Sequence, residues 1–170
     1  MRKNIVVTFL FTILFVSCLK SQSFSHSFGI GFLAGYEGLG LGSVYSPRIN
    51  MVKIGEGVTA SVGTHFALAL NTSSDGASTI QSFVGIEMPL VFELNFGAKS
   101  HPDNYNSFGG FIGVGYGFSS ISSDRFAKGV VYNAGFRFAY DWGVRFAYMD
   151  NSDPFREFGA ASIIFQVSIR

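Results

Sequence analysis

The chain has 170 residues, enough for one domain of ordinary size, and 48% of them are hydrophobic, with 20 phenylalanines and 21 glycines. Its formal net charge is +1, and the sequence has no basic cluster or stripe of the kind that binds nucleic acid. Abundant phenylalanine together with abundant glycine favours β-strands over helices.

The first 21 residues have the features of a secretory signal peptide. Arg2 and Lys3 give a positive start, the apolar run "IVVTFLFTILFV" follows, and small residues then lead to a cleavage site after Ser21. A retained anchor helix is the alternative, but an apolar run of about 12 to 14 residues is shorter than the ~20 needed to span a bilayer. The sequence therefore predicts a cleaved signal peptide, 1–21, and a mature domain, 22–170.

The single cysteine, Cys18, lies within this signal segment. The mature chain is therefore expected to contain no disulfide and no thiolate metal site. Lipid attachment at Cys18 is an alternative, which is disfavoured by Phe15, a poor residue three positions before a lipidated cysteine.

Large apolar residues alternate with small or polar ones along the rest of the chain, which is typical of β-strands with two different faces. The most regular stretch is "VGIEMPLVFELNFG", where every second residue from Val84 to Phe96 is apolar while Glu87 and Glu93 lie on the other face. The alternation predicts eight strands, at 24–35, 39–53, 58–70, 80–97, 108–119, 130–140, 144–150 and 159–169.

The composition of the two faces indicates which one points inward. Large residues pointing inward would leave an outer surface of glycine and alanine, poor in the charges that keep a protein soluble. Large residues pointing outward into lipid leave a narrow lumen that small residues fit and in which charges can pair. The sequence therefore predicts an all-β fold, an eight-stranded antiparallel up-and-down transmembrane β-barrel.

Strand number and strand length agree with a membrane location. A closed ring leaves no unpaired strand edge in hydrocarbon. The residues from 84 to 96, at ~3.3 Å each and tilted by ~40°, cover roughly 33 Å, more than the ~25 Å apolar band requires. An even number of strands places both termini on one side, expected to be periplasmic. The outer loops would then be 36–38, 71–79, 120–129 and 151–158, and the inner turns 54–57, 98–107 and 141–143.

The last inner turn predicts a strand register. If Asp141, Trp142 and Gly143 form a three-residue hairpin loop, Tyr140 faces Val144. The same register sets Arg137 diagonal to Arg145 in the interior, and it pairs Phe138 with Phe146 and Phe136 with Tyr148 on the outer face.

Two features do not fit a simple barrel pattern. Pro89 removes a hydrogen-bond donor in the middle of a strand, so a bulge is predicted there. A turn at Met88–Pro89 would instead give nine strands, but the alternation continues through Pro89 without a break. The inner turn 98–107 is also longer than the short turns usual on that side of such barrels.

Three sets of residues are expected to lie in distinct environments. An ion-pair layer near the periplasmic end of the lumen is expected to contain Arg48, Glu87, Glu93, Arg137 and Arg145, in a lumen that also holds His65, Asn95, Asn133 and Gln166. Packing is the expected role of these charges, and a gate or proton path is the alternative. The residues expected to face lipid are Val84, Ile86, Leu90, Phe92, Leu94, Phe96, Phe136, Phe138 and Phe146. The candidates for interfacial aromatic girdles are Tyr140, Trp142 and Tyr148.

Three segments resemble a known family. "FVGIEMPLVFELNFG", "GGFIGVGYGF" and "GFRFAYDWGVRFAY" are similar to strands of the small outer-membrane β-barrels of the OmpX/PorT-like domain family of Gram-negative bacteria. The resemblance covers residues 24–170 and implies an eight-stranded outer-membrane barrel, often without an assigned activity. The sequence departs from the family at Ser168-Ile169-Arg170, because such barrels usually finish on an aromatic residue that the assembly machinery reads.

A catalytic site is not expected from the sequence. Acyl transfer in such barrels would need a His/Ser pair on the lipid-facing surface near the outer leaflet. His26 and Ser27 are adjacent and so point to opposite faces, His65 and Ser61 would face the lumen, and His101 lies in an inner turn.

Neither a metal nor a cofactor is expected. The loop residues Asp150, Asp153 and Glu157 lack the spacing of a Ca²⁺ loop. Asp75-Gly76 is expected to form the turn of a polar loop.

The sequence thus predicts a small outer-membrane barrel with a structural or interaction role and a filled lumen. A lipid-modifying enzyme and a soluble periplasmic barrel that binds an apolar ligand are the alternatives. The expected partners are outer-membrane lipids, the outer-membrane assembly machinery and an unidentified extracellular or envelope protein.

Overall fold

A computed structural model of the chain describes residues 23–35, 38–74, 80–122, 125–139, 141–151 and 159–169, without the side chains of 71–74, 80–83, 121–122 and 125–126. The predicted signal segment with Cys18, the turn Asp75-Gly76, and Tyr140, Asp153 and Glu157 lie outside the described residues. Within the described part of the chain, no helix is long and apolar enough to cross a membrane.

The described residues form antiparallel β-strands, which the alternation of large and small residues predicts. The strands are β1 (Ser23–Gly35), β2 (Gly38–Gly55), β3 (Val58–Thr64), β4 (Phe66–Ser74), β5 (Ile80–Gly97), β6 (Phe108–Ser122), β7 (Arg125–Phe138), β8 (Trp142–Asn151) and β9 (Ala160–Ile169).

The strands close into one ring. β1 pairs with both β2 and β9, and each later strand pairs with the next one around the barrel. β3 and β4 are two segments of a single strand, because both lie between β2 and β5 and keep one register, with Thr64 opposite Leu90 and Ala67 opposite Glu87. The ring therefore has eight strand positions, and the predicted eight-stranded antiparallel barrel is confirmed.

The interruption between β3 and β4 lies beside Pro89. The shared register places His65, the one residue between these segments, directly opposite Pro89. Pro89 has no N–H to donate, so the ladder is broken on that side, while on the other side Pro89 stays in register opposite Gly117. The predicted bulge at Pro89 is wrong. The missing donor interrupts the neighbouring strand at His65, but neither strand gains an extra residue, and the register is the same on both sides of the interruption.

The two ends of the barrel differ. We call the end where β1 begins and β9 ends the terminal end, and it also carries the connections 56–57, 98–107 and 139–141. The opposite end is called the loop end. At the terminal end, Glu56 and Gly57 form a two-residue turn between the paired residues Gly55 and Val58, and Gly57 supplies the positive φ of 78° that this turn requires.

The register predicted for the hairpin between β7 and β8 is wrong. Phe138 pairs with Trp142, and Phe136 pairs with Val144, so the loop consists of residues 139–141. The observed partners on β8 are displaced by four residues from the predicted ones, an even number that leaves every side chain on its predicted face. Arg137 pairs with Gly143 and therefore remains diagonal to Arg145.

The strands at the loop end are longer than the alternation predicts. The segment 120–129 was predicted to be a loop, but β6 continues to Ser122 and β7 begins at Arg125. These extensions contain serines and Lys128 in place of large apolar residues. The alternation of apolar and polar residues therefore ends before the strand pairing does.

Large apolar side chains cover the outer face of the ring. We call this surface the outer belt; its exposed members at the eight strand positions include Ile30, Leu41, Leu68, Phe92, Ile112, Phe136, Phe146 and Phe165. The interior has a different composition, with polar and charged side chains toward the terminal end and a cluster of small and medium apolar side chains elsewhere.

Candidate functional site in the barrel interior

The residues expected in the lumen all point inward. Their exposed fractions lie between 0% and 7%, and the set consists of Arg48, His65, Glu87, Glu93, Asn95, Asn133, Arg137, Arg145 and Gln166. Their common orientation follows from the period of two, because each lies on the face opposite the outer belt. What distinguishes them is how they are paired.

Glu93 is the carboxylate at the centre of the charged group. Its Oε1 atom accepts hydrogen bonds of 2.6 Å from Arg145 Nη1 and 2.6 Å from Asn133 Nδ2. Because the carboxylate is 3% exposed, the ion pair with Arg145 is largely shielded from solvent and is worth more than a surface pair would be.

Asn95 accepts hydrogen bonds from the other two arginines, Arg48 and Arg137. Its Oδ1 atom accepts a hydrogen bond from Arg48 Nη1 and another, of 2.6 Å, from Arg137 Nη2. Its Nδ2 donates to Ser61 Oγ at 2.6 Å. Two buried guanidinium groups therefore share one neutral oxygen, while the nearby carboxylate is bound to Arg145.

The long turn 98–107 folds into the terminal end of the lumen, which explains its length. Ala98 and Ser100 are fully buried, and Lys99 is 9% exposed. The carbonyl of Lys99 accepts from Arg48 Nη2 at 2.5 Å, and the carbonyl of Ala98 accepts from Arg137 Nη1 at 3.4 Å. Lys99 Nζ also lies 3.1 Å from Asp141 Oδ1. The first two residues of the turn therefore supply acceptors for two of the lumen arginines.

Phe111 is an interior residue that the sequence reasoning missed. It is 1% exposed, and the guanidinium carbons of Arg137 and Arg145 each lie 4.6 Å from its ring centroid, within the range of a cation–π contact. Gly135 makes room for the ring, since a Cβ there would lie 2.4 Å from Phe111 Cζ. The sequence does contain an indication of this placement. Phe111 is an even number of residues from Gly113 and Gly115, so the alternation places it on the same inward face as these glycines.

Glu87 does not belong to the layer in which it was predicted. Its Oε1 accepts a hydrogen bond of 3.1 Å from Ser162 Oγ and lies 2.6 Å from His65 Nε2. Glu87 is six residues from Glu93 along β5, which is roughly 20 Å of strand. Period-two parity assigns both carboxylates to the lumen but gives no information about their heights, so the single-layer prediction was wrong for Glu87.

An apolar cluster fills much of the remaining interior. The sequence reasoning expected mainly small residues on this face, but larger side chains contribute as well. The buried members are Leu33, Val44, Ala67, Ala69, Val91, Ala127, Val131, Ala147, Met149, Ala160 and Ile164.

The histidines do not form an acyl-transfer arrangement. His65 and Ser162 each contact Glu87, and both side chains are buried in the lumen, away from the outer face where such an arrangement would have to lie. His26 contacts Tyr45 Oη at 3.5 Å, and His101 contacts Asp103. No three His, Cys, Asp or Glu side chains converge on a possible metal position within the described ranges.

The residues expected to face lipid lie on the outer face. Their exposed fractions range from 38% to 66% in the set Val84, Ile86, Leu90, Phe92, Leu94, Phe96, Phe136, Phe138 and Phe146. Of the predicted girdle residues, Trp142 lies at the terminal end of β8 and is 54% exposed, and Tyr148 lies six residues further along the strand and is 50% exposed.

The closed ring and its filled interior can be compared with known proteins. No protein-family model matches the chain, and no curated protein sequence matches it. Among solved structures, the chain is similar to Ail, the attachment invasion locus protein of Yersinia pestis, with a TM-score of 0.51 and 15% identity over 88% of this chain and 99% of that chain. The chain has the fold of Ail.

A second structure of Ail gives the same result. It contains the heparin analogue sucrose octasulfate, and it matches with a TM-score of 0.51 and 14% identity over 87% of this chain and 98% of that chain. The agreement with Ail in extent and topology confirms the fold that the OmpX/PorT-like resemblance implies. At this level of identity, the likeness to Ail establishes fold alone.

Proposed function

We propose that the chain is a small outer-membrane β-barrel protein of the Gram-negative cell envelope, with a structural or interaction role and no open pore. The outer belt is the observation that carries this proposal. Phe92 is 66% exposed, Leu68 57% and Ile112 56%, at positions spread around the ring. A surface of this composition is stable against acyl chains and would promote aggregation in water.

The distribution of charge supports the same placement. Glu93, Arg137 and Arg145 are buried in the interior and hydrogen-bonded there, at 3%, 4% and 3% exposure. A strand surrounded by hydrocarbon requires its charged side chains to point into the lumen, away from the outer face. In this placement the terminal end faces the periplasm.

The filled lumen supports the absence of an open pore. Eight strands enclose little more than the side chains that point inward. Leu33, Val131 and Ile164 are between 0% and 2% exposed within the apolar cluster, and the turn 98–107 folds against the arginines at the terminal end. We therefore assign the interior charges a packing role.

The two alternatives are less consistent with these contacts. A soluble barrel that binds an apolar ligand needs its large apolar face inside, but the outer belt has the opposite orientation. A lipid-modifying enzyme needs a His/Ser pair on the outer face, but His65 and Ser162 are bound to Glu87 in the interior. We propose that the chain is not an enzyme.

Charge at the loop end narrows the choice of interaction partner. Ail was solved in complex with an anionic heparin analogue. In the sequence of this chain, the segments predicted to be outer loops, together with the adjoining Asp150, contain the acids Glu37, Asp75, Asp124, Asp153 and Glu157 and the bases Arg125, Lys128 and Arg156. This acidic excess would repel a sulfated polyanion, so we propose a neutral or basic partner surface at this end.

Fractionation and a heat-dependent gel shift test the proposal together. We expect the protein in the outer-membrane fraction and, after detergent extraction, faster migration when unheated than when boiled, because a closed barrel stays folded in detergent. Recovery in the soluble periplasmic fraction would contradict the proposal. An acyl pattern of envelope lipids that changes on deletion of the protein, measured by mass spectrometry, would instead support the enzyme.

A further inference from the structure

A small cavity at the terminal end of the lumen is lined by polar side chains that can donate hydrogen bonds, together with one unpartnered acceptor, Gln166 Oε1. It has a volume of about 20 Å³, and its walls include Arg48, Arg137, Arg145, Gln166 and four serines. None of the described residues that line it carries a carboxylate.

The charges around this cavity are not balanced. Three guanidinium groups surround one carboxylate, Glu93, which interacts electrostatically with all three, so the group carries a formal charge of +2. The remaining hydrogen-bond acceptors of Arg48 and Arg137 are neutral, namely Asn95 Oδ1 and the backbone carbonyls of Lys99 and Ala98. Neutral acceptors satisfy hydrogen bonds but leave the net charge in place.

Several donors at the cavity have no partner. Arg48 Nε, Arg145 Nε and Ser46 Oγ are buried and lack a hydrogen-bond partner among the described residues. Their side chains are 7%, 3% and 4% exposed, so a partner for these donors would have to lie in the cavity itself. Unsatisfied buried donors and uncompensated buried charge are both costly, and one anion would relieve both.

We propose that this cavity is a binding site for one small anion of about the size of chloride, held by Arg48, Arg145 and Ser46 with Arg137 nearby. The volume supports this size, since about 10–15 Å³ already accommodates one water molecule and a bulky oxyanion would need more. A wider pocket of about 360 Å³ between β1 and the turn 98–107 shares Ser25, Arg48 and Ser168 with the cavity, so the anion would enter from this side.

Bromide, a slightly larger analogue of chloride with an anomalous X-ray signal, is the probe. The full barrel in detergent is compared in sodium bromide and in sodium gluconate at equal ionic strength, so that general screening is the same and only bromide fits the cavity. With bromide about tenfold above its dissociation constant, we expect the unfolding temperature to rise by about 3 °C or more over that in gluconate.

Three variants separate site binding from nonspecific salt effects. Arg48→Gln removes one of the three guanidinium groups and should abolish the difference between the two salts. Ser46→Ala retains every charge, removes one unpartnered donor and should reduce the difference. Lys53→Gln also removes one positive charge, but from an exposed position on β2, and should leave the difference unchanged.

Diffraction from bromide-soaked crystals of the unmodified protein decides the question even if a variant fails to fold. We expect an anomalous peak within hydrogen-bonding distance of Arg48 and Arg145. Absence of that peak would overturn the proposal, as would equal unfolding temperatures in the two salts or a difference that Arg48→Gln retains. The membrane location does not enter this test, so the two proposals can fail separately.

Discussion

Arg145 and Glu93, 52 residues apart in the chain, are joined across the barrel interior by a hydrogen bond of 2.6 Å between Nη1 and Oε1. Their strands, β8 and β5, are not neighbours in the ring, because β6 and β7 lie between them. The contact therefore spans the lumen and connects parts of the wall that are three strand positions apart.

Replacing Glu93 with Gln should destabilise the barrel by about 2–5 kcal/mol, because it leaves three buried guanidinium groups without a carboxylate. Urea unfolding of the protein in detergent, followed by gel mobility, measures the change. Glu56→Gln is the matched control, because Glu56 is exposed in the turn between β2 and β3 and its substitution should change stability by less than about 0.5 kcal/mol. Equal stabilities of the two variants would remove the structural role assigned to Glu93.

His65 and Glu87 should be energetically coupled. Their side chains meet at 2.6 Å beside the interruption at Pro89, and both are buried. In a double-mutant cycle of His65→Ala and Glu87→Ala, we expect a coupling energy of about 1–3 kcal/mol, because either single change leaves a buried polar partner unsatisfied. His101→Ala with Glu87→Ala is the control cycle, which should be additive. Additivity in the first cycle as well would show that the contact contributes no stability.

Gly135 should not tolerate a side chain. A Cβ there would lie 2.3 Å from the carbonyl oxygen of Val144 and 2.4 Å from Phe111 Cζ, and the first of these is backbone that cannot rotate away. Gly135→Ala is expected to cost about 1–3 kcal/mol of unfolding free energy. Gly55→Ala places its Cβ where nothing lies within 4 Å, so it serves as the control. A loss of stability that is no larger for Gly135→Ala than for Gly55→Ala would contradict the observed packing around Phe111.

A lysine on the outer belt should be far more costly than one in a turn. Phe92 is 66% exposed on β5, and Ser107 is exposed in the turn 98–107. In water the two substitutions to Lys would have similar effects, but in a bilayer Phe92→Lys should cost about 2–4 kcal/mol more, because its charge enters hydrocarbon. Refolding yield and urea stability in lipid vesicles measure the difference. Similar values for the two variants would indicate that the belt is in contact with water.

Alternation along the sequence was sufficient to predict the strands and the orientation of their faces. It is a property of the chain itself, so Phe92 and Glu93 are assigned to opposite faces without knowledge of their neighbours. Alternation cannot detect an even displacement between strands, which is why the register at Phe138 and Trp142 was predicted incorrectly.

The geometry of the interior depends on contacts between distant segments. The separation of Glu87 from Glu93 follows from their six-residue spacing along β5, which the sequence contains. The shared acceptor Asn95 Oδ1 follows instead from strand tilt and side-chain reach, which a linear pattern does not contain. From the sequence, the turn 98–107 differs from other inner turns only in its length. Its role is visible only in the structure, where its carbonyl groups accept hydrogen bonds from Arg48 and Arg137.

The central claim is that the outer belt contacts acyl chains. Trp142 is the only tryptophan in the chain, so Phe92→Trp in a Trp142→Phe background places a single fluorophore on the belt. Lipids brominated at different depths quench tryptophan by contact, and we expect the strongest quenching from bromines along the acyl chains and little from aqueous iodide. Strong quenching by iodide, with none by brominated lipid, would contradict the account.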